Sequence, residues 1–192
     1  MQTALSIIHP LDEFYARSGA SLPPCEQVEG ELVPEPYKTL LVHQNDMTPT
    51  LENFHGQSVH LRVLGRERRG NEYFREVVLH LEGTEQPVEF GAIKIHLDRF
   101  PQVVRRRILE EKWPLGHILK DFNIPHASSP SAFLRVASDP LINSSLGLTG
   151  AQLLFGRRNT LLNPAKQPLA EIVEILPPVT KAEKRTEDGR RR

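Results

Sequence analysis

Between Ser58 and Leu97 lie three strand-like apolar runs, Ser58–Arg66, Glu72–Leu81 and Pro87–Leu97, with only "RRGN" and "EGTEQ" as turn material between them. A parallel neighbour needs a crossover of about a dozen residues or more, so runs this closely spaced fold back on one another as an antiparallel meander. Their alternation is imperfect, which predicts that both faces of the sheet are covered in places. Three further candidate strands follow a helical section: Ala132–Ala137, Ala151–Leu162 and Pro168–Leu176, the last two joined by "NPAKQP". The order helices, three strands, helices, three strands predicts an α+β fold: a six-stranded antiparallel sheet with helices packed on one side or end.

The helical stretches carry their own punctuation. Pro36 opens a short helix reaching about His43. Asp46 is placed to cap a helix from Thr48 to Phe54, with Pro49 in its first turn and Gly56 as its stop. Phe100, Val104 and Ile108 recur at helical spacing, and the pairs Arg106–Glu110 and Arg107–Glu111 are expected on the wet face. The triple arginine there reads as a solvated helix face rather than a phosphate clamp. Pro114 begins another helix in "WPLGHILKDF". The expected organisation is an N-terminal helix and Pro/Gly-rich loop over residues 1–36, a main domain over 37–178, and a disordered charged tail over 179–192.

Charge narrows the partners. Lys+Arg and Asp+Glu both number 24, which argues against a general nucleic-acid binder. The excess of base is confined to the tail: Lys181–Arg192 carries six basic and three acidic groups, leaving 18 and 21 in the rest. With no run of 18 apolar residues, no membrane span is expected. The N-terminus lacks a basic region ahead of its apolar residues, so a cytoplasmic protein is the expectation. Cys25 is the single cysteine, so neither an internal disulfide nor a cysteine-based zinc site is available.

No nucleophile elbow, phosphate-binding glycine loop or H-E-x-x-H pair is present among the eight histidines and 12 glycines. What remains is charge embedded in strands: Arg75 in "YFREVVL", Arg157 and Arg158 in "LLFGRRNTLL", Glu171 and Glu174 in "LAEIVEILPP". A guanidinium in apolar surroundings is costly unless something pairs with it. Glu171 and Glu174 are three apart and face opposite sides of a strand. Two readings stand at this point. Either Arg75 and a glutamate are sheet neighbours that neutralise each other, or they line one cavity, the arginine holding a carboxylate and the glutamate serving acid/base or hydrogen-bonding chemistry.

Six blocks, "NDMTPTLENFHG", "YFREVVL", "PVEFGAI", "PLGHIL", "LLFGRRN" and "VEILPP", come in the order and at the spacing of the chorismate lyase family, and the chain resembles that family over roughly residues 37–178. The resemblance implies a chorismate pyruvate-lyase that makes 4-hydroxybenzoate. It places the substrate-binding arginine on Arg75, a binding methionine on Met47 and the leucine of the P-L-G turn on Leu115. The family's glutamate falls on Glu174 rather than Glu171, and the third-strand glycine on Gly91. One departure is plain: proteobacterial members commonly carry Gly-Arg in that strand, whereas Gly91 is followed by Ala92. The second carboxylate of chorismate then lacks an obvious partner, unless Arg157 or Arg158 supplies one.

The implied chemistry suits such groups. Loss of pyruvate breaks an ether bond and removes a ring proton, and aromatisation drives it, so no cofactor or metal is expected. The protein holds the anion, excludes water and moves protons, with Glu174 and Arg75 as the expected catalytic groups. Two other readings compete: a non-catalytic small-molecule sensor of the same fold, and a related enzyme making 3-hydroxybenzoate. The expected partner is the small molecule chorismate, and the expected state a monomer.

Overall fold

The computed structural model describes residues 6–179. The expected basic tail lies outside them. Seven strands form one antiparallel sheet: β1 (Cys25–Val28), β2 (Val59–Arg69), β3 (Glu72–Leu81), β4 (Pro87–His96), β5 (Ala127–Ala137), β6 (Leu153–Leu162) and β7 (Pro168–Leu176). Their order across the sheet is β1-β5-β6-β7-β4-β3-β2. The meander β2-β3-β4 and the hairpin β6-β7 lie side by side and meet through β4 and β7. The fold is α+β with an antiparallel sheet, as the order of elements predicts.

The strand beyond the expected six is β1. It comes from the Pro/Gly-rich segment read as loop, pairs with β5 from Cys25↔Val136 to Val28↔Phe133, and forms one edge. Strand β2 forms the other edge, with a register shift between Val63 and Gly65.

Six helices cover the sheet: α1 (Leu11–Ser18), α2 (Tyr37–Leu41), α3 (Met47–His55), α4 (Gln102–Leu109), α5 (Leu115–Asp121) and α6 (Pro140–Leu146). Helices α1 and α6 bury Leu11, Phe14, Ile142 and Leu146 against Phe74, Val78, Phe90 and Val173 on one sheet face. Helices α4 and α5 bury Val104, Ile108, Leu115 and Ile118 against Tyr73, Ile93 and Leu161 on the opposite face. There, α2 and α3 bury Leu41, Met47 and Leu51 with Leu79 and Leu176. Because helices lie on both sides, every residue from Tyr73 to Leu81 in β3 is buried, and its sequence shows no clean alternation.

Helix ends follow local chemistry. Gly56 ends α3 in the left-handed conformation, at φ 65°. Asp139 caps α6, its Oδ1 accepting from Ile142 N–H at 2.9 Å. Asp46 occupies the cap position of α3 but does not cap it. Its carboxylate instead meets His126 Nε2 at 2.7 Å. Neither expected pair, Arg106–Glu110 or Arg107–Glu111, forms. The α4 helix ends first, Arg107 turns to Glu110 at 2.9 Å, and Glu111 accepts from the Tyr73 hydroxyl at 2.5 Å and pairs with Arg66.

Candidate functional site

The sheet face beneath α2–α5 is built from alternate residues of adjacent strands. Strand register puts Arg75 opposite Ile93, Val77 opposite Gly91 and Leu79 opposite Glu89. Gly91 in turn lies opposite Glu174, and Glu174 opposite Arg157. Because facing residues of an antiparallel ladder share a side, Arg75, Glu89, Glu174 and Arg157 all rise from one face. A cavity of about 60 Å³ sits over it, lined by Arg75, Glu89, Asn159 and Glu174 from the sheet and by Met47, Thr48, Leu115 and Gly116 from above.

Arg75 is 2% exposed. Its Nε and Nη1 are buried without any hydrogen-bond partner. Burial pulls the guanidinium down to about 10, partly offset by Tyr73 and Glu111, so it keeps its charge at neutral pH. A buried cation with free donors beside a cavity is costly unless an anion pairs with it.

Glu174 is tied. Its Oε2 accepts from Arg157 Nε at 2.5 Å. The remaining Arg157 donors go to the backbone carbonyls of His43, at 3.2 Å, and Asn45, at 3.1 Å. Arg157 therefore ties β6 to the chain between α2 and α3, and its donors are engaged by protein. Arg158, the next residue, points to the other side and reaches the Ser6 carbonyl at 3.4 Å. Glu171 also lies opposite to the cavity, pairing with Lys94 at 3.6 Å and His96 at 3.2 Å.

Glu89 is not among the site residues expected from the sequence. It is 6% exposed, its Oε2 has no partner, and it shares the cavity with Arg75. Burial, then the neighbouring Glu174, pushes its carboxyl well above the ordinary range, against a smaller opposing pull from Arg157. The signal was available: "PVEFGAI" places a carboxyl in an apolar strand just as "YFREVVL" places a guanidinium.

Two of the candidates reach the cavity from the covering helices. Met47 and Leu115 open α3 and α5, and both line it. Gly116 lets these helices meet, because a Cβ there would lie 2.9 Å from Thr48 Oγ1. His117 Nε2 adds a 2.9 Å contact to Glu52 Oε1 across the same pair. Gly91 does not line the cavity. A Cβ on it would lie 2.0 Å from the Val173 carbonyl oxygen, so the glycine permits the close approach of β4 and β7.

No protein-family profile matches the sequence, and no curated protein matches it. Solved structures do match in fold. The effector domain of PhnF from Mycobacterium smegmatis is 13% identical, with TM-score 0.52 over 68% of this chain and 87% of that one. The PhnF structure from the same organism is 12% identical, with TM-score 0.52 over 71% and 65%. YydK from Bacillus subtilis, titled a "possible transcriptional regulator", is 12% identical, with TM-score 0.51 over 89% and 92%. The chain thus shares its α+β architecture with an effector domain.

Proposed function

We propose that the chain binds a small ring carboxylate, of the hydroxybenzoate or chorismate kind, in the cavity beneath α3 and α5, with Arg75 as its receptor. The observation that carries this reading is the Arg75 guanidinium, buried with two partnerless nitrogens. A carboxylate supplies two acceptors in one plane and a compensating charge, which is what this group lacks. Met47, Leu115 and Glu174 surround the same space.

The cavity's 60 Å³ is smaller than the about 150 Å³ that accommodates benzene in an apolar protein cavity. A ring ligand therefore enters with a parting of α3 and α5.

Two activities fit a carboxylate held there. Reception without reaction is favoured by the likeness to the effector domain of PhnF. Arg157 is already engaged, which leaves Arg75 as the receptor for one carboxylate. Pyruvate elimination from chorismate is favoured by the six sequence blocks and by a second carboxyl, Glu89, beside Glu174. In that reaction the ring loses a proton, the ether C–O bond breaks, and the departing enolate takes up a proton on carbon and becomes pyruvate. One experiment separates the readings. Purified chain is incubated with chorismate, and pyruvate and hydroxybenzoate are quantified. Equal amounts of pyruvate and 4-hydroxybenzoate identify the lyase, and 3-hydroxybenzoate identifies the related enzyme. Saturable binding of 4-hydroxybenzoate with no turnover identifies the receptor. Absence of both binding and turnover overturns the whole reading.

A further inference from the structure

We infer that Glu89 is a hydrogen-bond donor that selects ligands carrying an ether or hydroxyl oxygen at the end opposite their carboxylate. This rests on the reading that Arg75 takes the carboxylate of a ring ligand, and it defines what the rest of the ligand must present.

The argument is geometric. Arg75 faces Ile93 in the ladder, and Glu89 is four residues before Ile93 on the same strand and the same face. Four residues of strand span about 13 Å. Arg75 and Glu89 therefore rise from the same sheet face at opposite ends of that span, and both line the cavity. Gly91, which has no side chain, sits midway between them, opposite Val77 and Glu174. The cavity therefore has a cation at one end and a carboxyl at the other, with Glu174 along its side.

The two carboxyls differ in what they can offer. Arg157 occupies Glu174 Oε2. Glu89 Oε2 is buried and has no donor aimed at it. A carboxylate anion so placed, beside a second carboxylate, would lack both solvent and partner; a carboxylic acid lacks only an acceptor. The acid form also keeps the cavity matched to a single negative charge on the ligand. A ligand oxygen at the far end supplies the missing acceptor. An apolar end of the same shape leaves the acid unsatisfied, and sites built this way discriminate strongly.

The test uses two isosteric probes, 4-methoxybenzoate and 4-ethylbenzoate, titrated calorimetrically into the full chain. The methoxy oxygen accepts a hydrogen bond and donates none. The parent is expected to prefer 4-methoxybenzoate by about tenfold. Glu89→Leu, an apolar side chain in an apolar strand, is expected to abolish or reverse that preference while still binding 4-ethylbenzoate. Glu89→Gln keeps a neutral donor and is expected to retain the preference, which also guards against a Leu variant that fails to fold. An undiminished preference in Glu89→Leu overturns the inference, as does loss of the preference in a folded Glu89→Gln. Arg75→Met reports separately on the underlying reading, because it should weaken both probes alike. Equal binding of both probes to parent and Arg75→Met would overturn the carboxylate receptor itself, and the inference with it.

Discussion

Arg157 Nε lies 2.5 Å from Glu174 Oε2, directly across the β6–β7 ladder, with both side chains buried. A buried pair of this kind costs most when half of it is removed. Arg157→Leu is expected to destabilise the chain by about 3–5 kcal/mol, because Glu174 is left charged or unpaired. Replacing both partners by apolar residues, Arg157→Met with Glu174→Leu, should recover most of that loss. Urea denaturation of the two variants checks the ordering.

Arg75 presents the opposite case. It has no partner to abandon, so Arg75→Met should leave stability unchanged or raise it. The same variant should lose ligand binding by at least tenfold, since a charge-assisted contact contributes about 1.5–3 kcal/mol. Thermal melting and titration with 4-hydroxybenzoate, run on one preparation, read both effects. A large fall in melting temperature would mark Arg75 as structural.

The two glutamates of β7 should separate cleanly. Glu171 lies on the face away from the cavity, against Lys94 and His96. Glu171→Gln is expected to change ligand affinity by less than about twofold, the size of effect usual for an exposed or rim ion pair. Glu174→Gln loses a charged wall of the cavity and should weaken or alter binding by about tenfold. The same pair of titrations would show a reversed order if the β7 register were shifted by one residue.

Gly91→Ala should damage the fold, whatever the ligand. The added Cβ would fall 2.0 Å from the Val173 carbonyl oxygen, and backbone cannot swing aside as a flexible side chain does. A loss of at least about 1–3 kcal/mol is expected. Denaturant midpoints of Gly91→Ala measured with and without ligand check this, because a purely ligand-binding role would leave the ligand-free midpoint in place.

His126 gives a pH dependence of definite sign. Its hydrogen bond to Asp46 raises its pKa above the ordinary 6.5, against the pull of burial. A raised histidine contributes stability that is complete below the unfolded pKa and fades as pH rises through the folded one. The melting-temperature gap between the parent and His126→Gln should therefore be widest in mild acid and narrow as pH climbs above 6.5.

The sequence shows the meander and the β6–β7 hairpin because short connectors and turn residues leave an apolar run no other partner. Strand β1 was hidden for the opposite reason. "CEQV" is flanked by prolines and acids, is buried only in part, and gains its place by pairing with β5 rather than by its own pattern. Helix α6 was hidden by its brevity, and only its Asp139 cap marked it. At the site, Arg75 stood out because a guanidinium in an apolar strand demands an explanation. Glu89 did not, because one acid in a strand reads as its wet edge until helices are seen on both sides. Where Arg157 points could not be read at all, since its partners lie in His43, Asn45 and Glu174, distant in sequence.

The two outer strands bear on how copies of the chain meet. Strand β1 offers four residues, too few to seed a long ladder. Strand β2 is long, but its register breaks between Val63 and Gly65, and Arg62, Arg66, Arg68 and Arg69 are set along it. A second β2 laid alongside would meet a kinked edge set with charged side chains, of which Arg66 and Arg69 are already held by Glu111, Glu67 and Glu13. The sheet's rim is thereby guarded against edge-to-edge pairing of one copy with the next.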